Sequence, residues 1–188
     1  MILLKRAFFL TGRPGIGKTT VLLRIIEKLR KRGLKIGGMI SREVRENGYR
    51  VGFKILSLDN GREGWLAHVR QPVGPKIGKY RVCMRDLESI GVDAILRATK
   101  ESEVIIIDEV GPMELFSQPF KQAVLESLNS GKTVLGTIHY RVKTPIIMQI
   151  KEREDTTIIE VTRENREDLP ENIAREILRI HENPETSV

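Results

Sequence analysis

The chain has 188 residues, 40% hydrophobic and 30% charged, with a formal net charge of +7. That length suits one domain with a sizeable core, and that balance excludes an intrinsically disordered chain. A single cysteine, Cys83, excludes an internal disulfide and a cysteine-based metal site, and no apolar run is long enough to span a membrane.

Met1 to Arg6 run directly into an apolar stretch with no cleavable signal pattern, so the expected location is cytoplasmic. Ala7, Phe8, Phe9 and Leu10 suit a buried parallel strand over residues 7–11. Residues 12–19 then read GRPGIGKT, a full match to the phosphate-binding loop G-x-x-x-x-G-K-[ST]. Leu22, Leu23, Ile25, Ile26 and Leu29 follow at helical spacing, which predicts a helix over residues 18–32 stopped by Gly33. The motif therefore has the strand–loop–helix setting that gives it meaning.

The chemistry of that loop follows from its residue types. A helix N-terminus offers unpaired N–H groups and the positive end of a dipole to a phosphate. Gly12, Gly15 and Gly17 let the backbone approach closely, and Pro14 and Ile16 complete the turn. Lys18 is expected at the β- and γ-phosphates, Thr19 on Mg²⁺, and Thr20 at the α-phosphate. Arg13 can either cross the site as an arginine finger or face solvent.

Further along, residues 36–40 suit a second strand, and residues 48–56 alternate with a period of two, as in a half-buried antiparallel strand. With the turn at Asp59, Asn60 and Gly61, residues 36–83 read as an antiparallel β-meander inserted after the first helix. Trp65 within it is expected in the core. A helix over residues 84–100 is expected to be interrupted at Gly91. Next come a strand at 103–108, a helix near 116–129, a strand at 132–138, a short helix opened by Thr144 and Pro145, a strand at 156–161 and a last helix at 168–180. The tail 182–188 is polar. Alternating strands and helices in one 1–188 domain imply an α/β fold, with a mostly parallel sheet covered by helices on both faces.

A second site element lies at residues 104–109, VIIIDE. Four β-branched residues ending in two carboxylates describe a central strand whose C-terminal tip carries chemistry. Asp108 is the candidate for the Mg²⁺ shell, and Glu109 for aligning or deprotonating the attacking water. Glu114 reads as a helix-start carboxylate, with a supporting place behind the site as the alternative. His139 follows the 132–138 strand, as a sensor of the γ-phosphate or a plain strand-end histidine. Arg163, Asn165 and Arg166 follow the last strand, as base contacts or a simple loop. His68 and His181 have no sequence partners that suggest a metal site. Lys28, Arg30, Lys31, Arg32 and Lys35 cluster at the end of the first helix, where they complement its C-terminus.

With these residues placed, the chain resembles the thermophile and cancer-related nucleoside-triphosphatase family of P-loop proteins. The resemblance rests on TGRPGIGKTT at 11–20, IDEVGPMEL at 107–115, GKYRV at 78–82, TIH at 137–139 and ENRE at 164–167. It implies a RecA-like P-loop NTPase core and Mg²⁺-dependent, slow hydrolysis of ATP, GTP, CTP and UTP with loose base choice. It also implies that residues 12–19 and 104–111 line the nucleotide site. That range includes Val104, Ile105, Ile106, Ile107, Val110 and Gly111, with Lys18 and Glu109 as the catalytic pair. Pro112 departs from the lysine common in relatives.

Two other readings stay open. One is a nucleotide or small-molecule kinase, although Arg141, Lys143 and Arg153 form no dense arginine lid. The other is a nucleotide-gated protein that binds nucleic acid through its positive charge. The expected partners are nucleoside triphosphates. No membrane contact is expected, and no protein partner is indicated.

Overall fold

The computed structural model describes residues 4–182. Its strands are β1 (Ala7–Thr11), β2 (Ile36–Glu46), β3 (Tyr49–Ser57), β4 (Glu63–His68), β5 (Lys76–Ile77), β6 (Tyr80–Val82), β7 (Val104–Val110), β8 (Thr133–Ile138) and β9 (Thr156–Glu160). They join one nine-stranded sheet in the order β5-β6-β4-β3-β2-β7-β8-β1-β9. The helices are α1 (Lys18–Lys31), α2 (Met84–Asp86), α3 (Asp93–Glu101), α4 (Gln118–Asn129), α5 (Pro145–Glu152) and α6 (Leu169–Glu182).

Alternating side chains divide the interior into two cores. On one face of the sheet, Phe8, Leu10, Val104 and Ile106 pack with Leu22, Ile25 and Leu29 of α1 and Ile173 and Ile177 of α6. On the other, Phe9, Ile105 and Ile107 pack with Ile95 of α3, Phe120 and Val124 of α4 and Ile147 of α5. Burial of each such side chain contributes about 1.5–3 kcal/mol. Strands with helices on both faces must be apolar throughout, which is why β1 and the first half of β7 carry no polar alternation.

The meander is not a separate insertion beginning at residue 36. β2 pairs in parallel with β7 from Ile36↔Val104 to Met39↔Ile107, then antiparallel with β3 from Met39↔Ser57 to Glu46↔Tyr49. One strand thus serves both halves, and residues 40–46 run on past the parallel sheet. Four pairings are parallel and four antiparallel, so the parallel core is extended by an equal number of antiparallel pairings.

Several expected boundaries shift for local reasons. The helical run from Met84 to Glu101 is not broken at Gly91 but loosens into a π-helical stretch at Leu87–Val92. There Gly91 lies against Met39 Sδ, which would sit 3.0 Å from a Cβ at that position. Ser117 caps α4 by accepting the N–H of Phe120 at 3.1 Å, so α4 starts after a separate 3₁₀ turn, Glu114–Phe116. Trp65 is half-buried, with its ring against His68 and Lys54, and is not a core residue. Glu182 ends α6, and the expected tail at 183–188 lies outside the described residues. No helix among the described residues is long and apolar enough to cross a membrane.

Gly38 sits where β2 changes partners. Its φ is +110°, and a Cβ there would lie 2.2 Å from the Ile106 carbonyl oxygen. Gly38→Ala is therefore expected to cost about 3 kcal/mol or more. Calorimetry should show a fall in melting temperature on the order of 6–12 °C. Gly131→Ala (φ +74°, open space around it) should cost only about 1–2 kcal/mol.

Candidate active site

The phosphate loop leaves the buried end of β1 and turns into α1 through Gly17, which holds φ +108° at the helix N-cap. No side chain caps that N-terminus and no acidic residue lies in the first turn, so the leading N–H groups have no carboxylate competing for them. Lys18 lies folded over the loop, its Nζ donating to the Gly12 carbonyl at 3.2 Å. Pro14 and Gly15 are exposed beside it.

Three acids converge on this loop from the tip of β7 and the turn after it. Asp108 is 1% exposed and accepts from Thr19 Oγ1 at 3.2 Å and from Thr137 Oγ1 of β8. The peptide bond between Asp108 and Glu109 is cis. Glu109 Oε1 and Glu114 Oε2 both turn toward Gly111, where they would lie 2.8 and 3.1 Å from a Cβ.

Burial dominates the electrostatics of all three. It pushes Asp108 up to about 6, helped by the Glu109 charge and opposed by the two threonine hydroxyls and Lys18. Burial also raises Glu109, against the pull of Lys18. Glu114 is raised well above the ordinary carboxylate range by burial, then by the charges of Glu109 and Asp108. Glu114 was expected as a helix-start carboxylate. It does open the 3₁₀ turn, but it is 4% exposed and turned inward toward the other two acids.

A cleft of about 370 Å³ runs across this end of the sheet. Gly12, Pro14, Gly15, Lys18 and Thr19 form its near side, and Asp108, Glu109, Glu114 and His139 its middle. Ser41, Glu43, Phe53, Leu66, Pro112, Met113 and Tyr140 complete it. Nδ1 of His139 accepts the N–H groups of Arg141 and Val142 at 3.3 Å each, leaving Nε2 for a ligand. Burial, then Lys18 and Arg141, lowers the pKa of this imidazole and favours its neutral form.

On the other side of the loop, toward β9, lies a second cavity of about 690 Å³. Arg13, Ile16, Arg163 and Arg166 line it together with Pro14 and Gly15. Arg13 thus belongs to this side and not to the cleft that holds Glu109. Arg166 also reaches the Ile16 carbonyl, at 3.5 Å.

Other expected site residues lie elsewhere. Val104, Ile105, Ile106, Ile107 and Val110 are 0% exposed and belong to the two cores, not the cleft, because strand alternation sends their side chains under the helices. Asn165 braces its own loop: Oδ1 accepts the Thr162 N–H and Nδ2 donates to the Glu160 carbonyl, each at 2.8 Å. Thr20 is exposed on α1. His68 accepts from the Arg70 N–H, and His181 pairs with Thr133.

Ser41, Glu43, Phe53, Leu66, Met113 and Tyr140 went unrecognised in the sequence. Ser41 and Glu43 do share a strand face, and Glu43 pairs in register with Phe53, but only the tertiary pairing brings that face to the phosphate loop. The basic cluster after α1 is largely engaged: Lys28 with Glu171, Lys31 with Glu27, Lys35 with Glu101 and Arg30 with the Leu58 carbonyl.

The family model for NTPase matches residues 7–174. The chain belongs to the THEP1 nucleoside-triphosphatase family. It is 53% identical over 171 residues to nucleoside-triphosphatase THEP1 of Thermofilum pendens, covering 90% of this chain and 94% of that protein. The Methanocaldococcus jannaschii relative of the same name is 44% identical over 170 residues, with 90% and 96% covered. Among solved structures, the crystal structure of THEP1 from the hyperthermophile Aquifex aeolicus superposes with a TM-score of 0.79 at 32% identity, covering 89% of this chain and 96% of that one. The solution structure of a human cancer-related nucleoside triphosphatase gives 0.76 at 35% identity, with 91% and 96% covered. The α/β architecture described above is thus that of the THEP1 structures.

Glu114 gives a prediction about stability in this family member. Its folded-state pKa is raised above the ordinary 4.5. Stability associated with its protonated form is complete below that value and is lost as pH rises through the raised one. Glu114→Gln should therefore melt higher than the parent at about pH 8, and the two should converge near about pH 4. Parallel thermal scans at the two pH values check the sign.

Proposed function

We propose that this protein hydrolyses nucleoside triphosphates to diphosphates and phosphate in the cleft between the loop at 12–19 and the tip of β7. The observation that carries the proposal is the 3.2 Å hydrogen bond between Thr19 and the buried Asp108. It joins a phosphate-binding helix start to an acidic strand end.

The residues present suit Mg²⁺. Thr19 Oγ1 and Asp108 Oδ2 are hard oxygen donors, and burial leaves Asp108 short of compensating charge. Among the described residues no group of three or more His, Cys, Asp or Glu side chains forms a metal cage. Mg²⁺ needs none, since it takes one or two protein oxygens and substrate phosphates. When bound, it would offset charge on the β- and γ-phosphates.

The loop amides and Lys18 hold the triphosphate and stabilise charge on the transferring group. Lys18 leaves its resting place on the Gly12 carbonyl to do so. Glu109 accepts the proton of an in-line water, and its raised proton affinity suits that role. Neutral His139 can donate from Nε2 to the γ-phosphate.

Broad use of ATP, GTP, CTP and UTP is supported by the second cavity. Arg13, Arg163 and Arg166 offer flat cationic faces for stacking, while the amide of Asn165 is already engaged. Slow turnover is supported by the position of Arg13 away from Glu109. An arginine at the γ-phosphate is worth about 10³–10⁵ in rate.

Glu109→Gln is expected to keep nucleotide affinity and lose about 10²–10⁴ in turnover. Lys18→Ala should lose both. Phosphate release from the four nucleotides, with and without Mg²⁺, together with binding of a nonhydrolysable analogue, reads these outcomes. Normal turnover by Glu109→Gln would remove Glu109 from the mechanism.

A further inference from the structure

The cleft runs on from the phosphate loop and the acidic tip of β7 to the antiparallel strands. Its far half is built by the overshooting part of β2 and its neighbours: Ser41 and Glu43 from β2, Phe53 from β3, Leu66 from β4 and Met113 from the turn after β7. Water attacking a phosphate needs no apolar chamber of this kind. Apolar walls with a few polar groups are the usual form of a small-molecule site.

The charges restrict what can enter. None of these five residues is a lysine or arginine, and Asp108, Glu109 and Glu114 stand next to them. An anionic ligand in this half would meet carboxylates, while Lys18 stands on the phosphate side of the cleft and Arg50 is already paired with Glu43. Glu43, the acid of the far wall, is already occupied: Arg45 donates to one oxygen, and Arg50 Nη1 donates to the other at 2.9 Å. Arg50 is held in turn by the Tyr80 hydroxyl at 2.9 Å and lies 5.4 Å from the centre of the Phe53 ring. Glu43 is therefore already paired with two arginines, and the other carboxylates of the cleft belong to its phosphate half. The space suits an uncharged molecule with an apolar body.

We propose that the far half of the cleft is an acceptor subsite for a small uncharged alcohol, whose hydroxyl takes the γ-phosphoryl group in place of water. The proposal rests on the nucleotide-cleaving reading above. An oxygen lone pair of the alcohol forms the new bond to the γ-phosphorus. The bond from that phosphorus to the β,γ-bridging oxygen breaks, and its electron pair leaves with the nucleoside diphosphate. The hydroxyl proton passes to Glu109. The products are a phosphate monoester and a diphosphate. Phe53, Leu66 and Met113 hold the apolar body, fix the hydroxyl and displace competing water.

The test incubates the whole protein with Mg²⁺, ATP and millimolar benzyl alcohol, 2-phenylethanol or isoamyl alcohol, with the anion phenyllactate as control. Phosphorus NMR and mass spectrometry measure phosphate monoester against free phosphate. Monoester is expected from at least one uncharged alcohol and not from phenyllactate. Phe53→Ala should lower the ratio of monoester to free phosphate about tenfold, a loss of about 1.4 kcal/mol. Met113→Ala, outside the strand pairing, provides the same readout should Phe53→Ala fail to fold. Free phosphate alone from all three alcohols overturns the acceptor proposal and leaves hydrolysis standing. So does equal labelling of phenyllactate, or an unchanged ratio in both variants. Absence of both products overturns the hydrolytic reading as well.

Discussion

Asp108 is held between two threonine hydroxyls from different parts of the chain, one on the first turn of α1 and one on β8. Nearly all water is removed from this carboxylate, so its position depends on those two donors. The geometry of the site depends on the same arrangement. β7 carries Asp108 to the C-terminal end of the parallel strands because its preceding residues are locked into both cores. α1 brings Thr19 to it because Leu22, Ile25 and Leu29 are packed on the opposite face from α3 and α4. Hydrophobic burial sets the elements, and two hydroxyl hydrogen bonds fix the acid relative to the loop.

Three carboxyls with restricted access to water are a cost that the fold carries in the absence of ligand. Burial raises the proton affinity of each, and Lys18 supplies positive charge to Asp108 and Glu109. A site organised in this way favours any occupant that delivers cationic charge together with a phosphate chain. In the proposed function, the substrate and its metal relieve a strain of electrostatic origin that the core tolerates.

Much of this was readable from the sequence, and the reasons are physical. GRPGIGKT between an apolar run and an amphipathic helix has few alternative structures, and β1, the loop and α1 lie within a residue of their expected bounds. Asp108 and Glu109 were legible because a β-branched run that ends in acids marks a strand tip. What periodicity could not supply was partnership. Residues 36–40 read as a short strand at the start of a meander, because nothing local reveals that one strand runs to Glu46 and pairs with β7 and then with β3. Ser41, Glu43 and Phe53 were missed for the same reason. Glu114 stood between a helix-start carboxylate and a supporting place behind the site; it opens the 3₁₀ turn and is also buried beside the other acids, a burial that nothing local reveals. Asn165 stood open between a base contact and a simple loop, and its amide closes the loop. The side chains of 104–107 were assigned to the nucleotide by their place in a motif, whereas alternation buries them.

The length of β2 has an evolutionary consequence. Its first residues through Ile40 are fixed by the packing of the central sheet, whereas residues 41–46 pair only with the ribbon beyond it. Drift in that ribbon can reshape recognition while the anion-holding machinery stays untouched. A lineage built on this plan can diversify its clientele without reinventing its engine.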